Sequence, residues 1–327
     1  MNLKNYIVKR YESKYFSDWN AFISTAKNAT FLFNRDFMEY HSDRFEDFSL
    51  MIFQEDKLVC VLPANRAGAT IYSHQGLTYG GLVFQTNIKL ANSIAIFRDI
   101  LIYLNENQID KLNLKLIPSI YCNGFSEEIE YSLFLLKAQL IRRDCLSVIN
   151  LLNLISFSKI RIRGVKKGSI NNLIIKEVND FEEFWTKILI PNLEFKHNVK
   201  PAHNLDEISK LKKIFPKNIR QFNVYYKDEI IAGTTIFESQ NVAHAQYISG
   251  NESKLINGSL DYLYDNLIKV VYKDKKFIDF GISNEDQGKR LNNGLSYWKE
   301  SFGASIVVHD YYEVETLNYI KLDNVII

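Results

Sequence analysis

The sequence predicts an α/β protein built from two similar halves, and three observations carry that reading. The chain has 327 residues, a length at which one core is strained and two domains are expected. Apolar residues make up 46% and aromatics 13%, enough for two cores, while 14 Gly and 5 Pro are too few for a linker-rich or repetitive chain. Strand and helix patterns then recur in the same order twice.

The first half opens with a strand over 5–11, followed by a helix with Phe16, Trp19, Phe22 and Ile23 on one face, the three-and-four spacing of an amphipathic helix. A hairpin covers 49–62, turning at Glu55-Asp56. A long helix over 88–106 and a strand over 111–117 close the set. The second half repeats the order. Its strand covers 173–178, and its helix carries Phe181, Phe184, Trp185 and Ile188. The hairpin covers 222–237 and turns at Lys227-Asp228; a helix over 257–272 and a strand over 276–282 follow. Such mixed order implies helices packed on a sheet in each half. The seam is expected within 154–176, where Lys159, Arg161, Arg163, Lys166 and Lys167 cluster around Gly164 and Gly168. That basic run could contact a phosphate, and the commoner fate of a charge run is a solvated connector, here between domains at 1–160 and 170–327.

Charge and cysteine use exclude several classes. Forty Lys and Arg against 38 Asp and Glu leave a formal charge of +2, without the basic excess of a duplex nucleic-acid binder. Cys60, Cys122 and Cys145 are an odd, scattered set without a CxxC pair, so neither a disulfide frame nor a zinc site is suggested, and buried hydrophobes are expected. The N-terminal residues lack the apolar run of a signal peptide. The apolar stretch 146–157 is interrupted by Asn150 and Asn153 and is too short to span a bilayer. A soluble cytoplasmic protein is expected, with no membrane and no nucleic-acid partner. Nothing in the sequence indicates an oligomeric state.

The densest chemistry lies between 242 and 303. A strand over 242–249 puts His244 and Gln246 on one face and Tyr247 and Ser249 on the other. A strand buried on both faces reads as continuous Val, Ile and Leu, so this one is expected to line a cleft. The polar loop after it runs to Asn257, Gly258 and Ser259 at a helix start. The exposed N–H groups there suit a pyrophosphate, and Asn257 or Ser259 serves equally as a plain N-cap. In the strand that follows, alternation turns Ile278, Phe280 and Ile282 toward the core and Asp279, Gly281 and Ser283 away from it. A carboxylate within a strand needs a partner or a task. Anchoring a neighbouring loop and catalysis stand level for Asp279. The Asp-Phe-Gly tripeptide at 279–281 lacks the Gly-rich loop, the strand lysine and the His-Arg-Asp loop that accompany it in protein kinases.

The run Asp279-Phe-Gly-Ile-Ser-Asn-Glu285, with Gly288, 291–295 and Trp298 to Gly303, resembles the C-terminal signature of the tandem GNAT N-acyltransferases, relatives of the FemABX peptidyltransferases. Matches extend to His197, Pro201 to His203, 243–247, 72–81 and 115–121, nearly the whole chain. The likeness is nearest to bacterial sugar N-acyltransferases, which move an acyl group from coenzyme A to the amine of a nucleotide-linked dideoxy-amino sugar for surface polysaccharide. The resemblance implies two tandem GNAT-like domains, each a mixed, mostly antiparallel sheet flanked by helices, with acyl-CoA as donor and no metal. It implies direct amine attack with a base drawn from Asp279, then His244, then Glu285. For acyl-CoA it implies Gln246, Tyr247, Ser249, Lys254, Asn257, Gly258, Ser259, Gly281, Asn284 and Lys299. For a dTDP- or UDP-linked acceptor where the halves meet it implies His74, Tyr79, Lys115, Tyr121, His197, Lys200 and His203.

The chain departs from the family in two places. Residues 254–259 hold one glycine where the pyrophosphate loop has more, and Lys299 stands where a thiolate-protonating Tyr is usual. Lys299 reads either as a neutraliser of thiolate or phosphate or as a solvated helix lysine. His197 and His203 lack the nearby Cys or carboxylate of a ligand set. The charged helical hairpin that some FemABX members use for transfer RNA is missing. An aminoacyl-tRNA-dependent transferase and a non-catalytic sugar-nucleotide-binding module remain as alternatives.

Overall fold

Lys227 and Asp228 both take positive φ, 49° and 65°, the mirror-image turn whose twist suits a two-residue hairpin. The turn joins Ile219–Tyr226 to Glu229–Glu238 and fixes the register of the sheet around it. The computed structural model describes residues 6–252 and 257–326. The chain forms two compact units, Met1–Asp144 with Val308–Ile327, and Cys145–Val307.

In the second unit the strands run in the order Ile174–Val178, Ile219–Tyr226, Glu229–Glu238, Val242–Gly250 and Phe277–Ile282, then the 145–150 end of Gln139–Asn150. Neighbours are antiparallel except Val242–Gly250 and Phe277–Ile282, which are parallel. The core holds Phe222, Ile236, Leu263, Tyr264, Phe280 and Phe302. The aromatic spacing at 181–188 forms one helical stretch, Glu182–Phe184 continuing through Trp185–Leu189 into Ile190–His197, with Phe181, Phe184, Trp185 and Ile188 buried.

The first unit has two sheets. One pairs Ile7–Arg10, Leu50–Gln54, Lys57–Leu62 and Val83–Phe84 antiparallel. The other pairs the 311–315 end of Ser305–Glu315 with Lys111–Lys115, then continues through Thr70–Tyr72, Asn65–Ala67 and Glu46–Asp47. Helix Leu90–Glu106 buries Phe97, Ile100, Leu101 and Leu104 into this unit's core, the face its three-and-four spacing demands.

Two boundaries differ from the sequence expectation. The chain enters the second unit inside Gln139–Asn150 and leaves it inside Ser305–Glu315, whose end pairs within the first unit; a simple cut near 160–170 misses this return. The basic run is a helix, Lys159–Ile170, in which Lys159, Arg163, Lys166 and Lys167 are exposed as expected and Arg161 is buried. Its two glycines, one turn apart, let it pack closely. A Cβ on Gly164 would lie 1.7 Å from Asp261 Oδ2, and one on Gly168 2.4 Å from Tyr262 Cβ, so only glycine lets this helix lie against Ser259–Asn266. Arg161 is buried on the same face and pairs with Asp261 at 2.5 Å. Among the described residues, no helix is long and apolar enough to cross a membrane and no group of three His, Cys, Asp or Glu is placed to hold a metal.

Candidate functional site

The site begins where two parallel strands part. Val242–Gly250 and Phe277–Ile282 pair through Val242↔Phe277, Ala243↔Ile278 and His244↔Asp279, and no further. The cause is local to the second strand. Gly281 takes φ +72°, a conformation that L side chains avoid, and the register against 146–150 shifts between Asp279 and Ile282. This bulge breaks the expected alternation, so Ile282 is 36% exposed rather than in the core. Lys299 clamps the bulge: its Nζ donates to the carbonyls of Gly281 (3.0 Å) and Ile282 (2.6 Å). Burial lowers its pKa to about 8 against the opposing pull of the Asp279 carboxylate. A solvated helix lysine is thereby ruled out; the side chain is 2% exposed.

Beyond His244, Val242–Gly250 keeps Glu229–Glu238 on one edge and pairs with no described strand on the other. An unpaired edge within a sheet leaves backbone donors and acceptors seeking partners. Asn192 meets one of them, its Nδ2 donating to Gly250 O and to Ser249 Oγ, each at 2.9 Å.

At the head of the fork, Asp279 is 1% exposed. Its Oδ1 accepts the Gly281 N–H at 2.7 Å and its Oδ2 lies 3.0 Å from His244 Nδ1. A carboxylate accepts, so in the neutral ring Nδ1 carries the proton and Nε2 the lone pair. The His244 side chain is 12% exposed, and its Cε1 lies 3.5 Å from where a Gly281 Cβ would stand.

At the other end is a cavity of about 450 Å³. It is lined by Ile248, Ser249 and Gly250 of the strand and by Arg161, Asn192, Leu260, Asp261 and Trp298. His244 lies five residues up the strand from Ser249, roughly 16 Å at about 3.3 Å per residue. Arg161, which lines the cavity, has a buried Nε without a partner among the described residues, and the buried Oγ of Ser259, one residue before the lining Leu260, is likewise without one. Ser259 opens helix Ser259–Asn266. Unsatisfied donors at a helix N-terminus with a guanidinium suit an anion, so these residues fit a phosphate-bearing cofactor. Gly258 contributes differently from expectation. It caps the helix at φ +68°, and a Cβ there would sit 2.1 Å from Gly164 O; its smallness serves helix packing.

No protein-family model matches the chain, nor does any curated protein sequence. Solved structures do. FemX superposes with a TM-score of 0.67 at 9% identity, over 97% of this chain and 99% of that one. A tandem GNAT protein from the clavulanic acid biosynthesis pathway gives 0.53 at 10% identity, over 95% and 99%. L-PGS from Bacillus licheniformis gives 0.53 at 8%, over 81% and 84%. The fold is the tandem GNAT fold.

Within this tandem GNAT fold the expected acyl-CoA residues scatter. Ser249 lines the cavity, and Ser259 immediately precedes the lining residue Leu260. Asn257 precedes Gly258 at that helix start. Tyr247 points elsewhere: its hydroxyl meets the backbone N–H of His203 (3.1 Å) and His203 Nδ1 (2.7 Å), and its ring stands edge-on to Trp185. Gln246 has a buried Oε1 without a partner among the described residues. Asn284 accepts the Cys145 N–H at 2.6 Å, which makes it a tie between strands. Lys254 lies outside the described residues, as does the side chain of His197, at the end of Ile190–His197. Glu285 is exposed and accepts from Asn292 Nδ2 at 2.9 Å; it does not join the Asp279–His244 pair.

Of the expected acceptor residues, Lys200 is exposed and His203 buried, both in the second unit. His74, Tyr79, Lys115 and Tyr121 belong to the first. There His74 stacks on His41 at 5.0 Å, and burial drives its pKa down to about 3. Tyr79 donates to Thr30 Oγ1 at 3.0 Å and packs on Tyr121. Lys115 Nζ donates to Leu77 O at 2.5 Å, and burial lowers its pKa to about 8. Sequence reasoning named Arg161 only within a basic run that could contact a phosphate, and it missed Asn192 and Trp298 as cavity residues. The Gly164–Gly168 spacing was the available signal for Arg161, since it marks a close-packed helix rather than a connector.

Proposed function

We propose that the chain is an N-acyltransferase that moves an acyl group, of acetyl or hydroxybutanoyl type, from acyl-CoA to the amine of a dTDP- or UDP-linked dideoxy-amino sugar. The observation that carries this reading is the fork. One strand edge, without a partner strand among the described residues, runs from an anion-suited helix start to a buried Asp–His pair, a track for an extended thioester carrier with a proton acceptor at its far end.

When bound, acyl-CoA supplies an activated carbonyl. Arg161, Ser259 and the first-turn N–H groups of Ser259–Asn266 would hold the anionic end. The open edge at 245–250 offers backbone donors along the way. Asp279 keeps His244 in the tautomer whose Nε2 accepts the proton lost by the attacking amine, an effect typically worth about 10²–10⁴-fold. Asp279 itself orients, since both its oxygens are engaged, and Lys299 holds the bulge that aims it. The two buried cysteines of the first unit are no ready nucleophiles: burial pushes the Cys60 thiol well up and Cys122 up to about 12, far from a thiolate.

The test offers acetyl-, butanoyl- and 3-hydroxybutanoyl-CoA against dTDP- and UDP-linked amino sugars and follows thiol release. Release that requires one amine acceptor, and fails with its hydroxyl analogue, is the expected result. Silence across the panel together with no calorimetric binding of coenzyme A overturns it. The likeness to FemX favours a second reading, an aminoacyl-tRNA-dependent transferase, which that silence would bring forward.

A further inference from the structure

No acidic residue lies between Asp144 and Glu177, and the helix Lys159–Ile170 sits within that stretch. Its buried stripe is Arg161, Gly164 and Gly168. The opposite stripe, at i, i+3, i+4 and i+7, is Lys159, Ile162, Arg163 and Lys166, all exposed. Ile162 is 55% exposed, and the segment leading into the helix leaves Leu152 at 74% and Ile155 at 54%. Monomer surfaces scatter single apolar residues, but here exposed Leu and Ile fall within eleven residues (152–162) of a stretch that carries cations and no acidic residue.

We infer that this face docks on an anionic lipid bilayer. The cations match the phosphate headgroups, and their long stems let the charge reach the headgroup plane while the neighbouring Leu and Ile enter the acyl boundary. An RNA-tracking face shares the cations and has no use for water-exposed Leu152, Ile155 and Ile162, because phosphate contacts need donors. The +2 overall charge conceals this local field. A membrane contact reverses the sequence expectation of no membrane partner, and it is independent of which acyl donor the cavity takes.

The experiment is co-sedimentation of the full chain with vesicles of phosphatidylcholine, alone or mixed with phosphatidylglycerol, at low and high salt. Binding to the mixed vesicles only, weakened by salt, is expected. Lys159→Glu, Arg163→Glu and Lys166→Glu together should weaken it by at least roughly a hundredfold, at about fivefold per basic residue removed. Leu152→Ser with Ile162→Ser should also weaken it, at unchanged charge and unchanged melting temperature. The proposal falls if the wild-type chain stays in the supernatant, or if it binds neutral vesicles equally well. It also falls if the Ser pair binds like wild type while transfer RNA displaces the protein, the outcome of an RNA face.

Discussion

Replacing His244 with glutamine is expected to lower turnover by about 10²–10⁴-fold while KM for the acyl donor and the melting temperature stay near wild type. The glutamine amide still donates to Asp279 Oδ2, so the buried carboxylate keeps its partner, but the amide cannot take a proton. KM is spared because the cavity is lined by 248–250 and its neighbours, not by His244. Asp279→Asn should lower turnover as well, because an amide donor facing Nδ1 forces the ring proton onto Nε2. Steady-state kinetics with thermal melts of both variants check this. Full activity in His244→Gln means that another group takes the proton.

A large stability effect is expected at Gly258. An alanine Cβ there meets the Gly164 carbonyl oxygen at 2.1 Å, a backbone atom that yields only if the two helices separate. Overpacking of this kind costs about 1–3 kcal/mol, and the φ of +68° adds about 1–2 kcal/mol for an L residue. The sum lowers the melting temperature by roughly 5–15 °C. Gly68→Ala is the matched control, with φ +63° and nothing within 4 Å, so it carries only the backbone share. Calorimetry of the two variants separates the terms; equal losses mean that the close helix contact contributes nothing.

Element order was legible because hydrophobic periodicity is a local property. The aromatics of 181–188, the hairpin turn at Lys227-Asp228 and the helix Leu90–Glu106 follow from spacing and turn chemistry alone. The failures are long-range. Ile282 reads as core by alternation, and one glycine at positive φ shifts the strand and exposes it. Lys299 reads as surface by type, and two carbonyls freed by that bulge draw it inside. Arg161 belongs to a basic run that looks solvated, until Asp261, a hundred residues on, supplies its partner. The return of Ser305–Glu315 to pair with Lys111–Lys115 leaves no signature in composition. Asp279 and His244, thirty-five residues apart, were both legible as candidates. Their pairing was not, and neither was the division of labour it imposes.

The account rests on the open edge of Val242–Gly250 as the donor track, and hydrogen exchange with and without coenzyme A tests it most directly. The account predicts slower exchange for the 245–250 amides that face away from Glu229–Glu238 and for those of 257–261, with Ile219–Tyr226 unchanged. Exchange that is the same throughout 245–261 at saturating coenzyme A contradicts it.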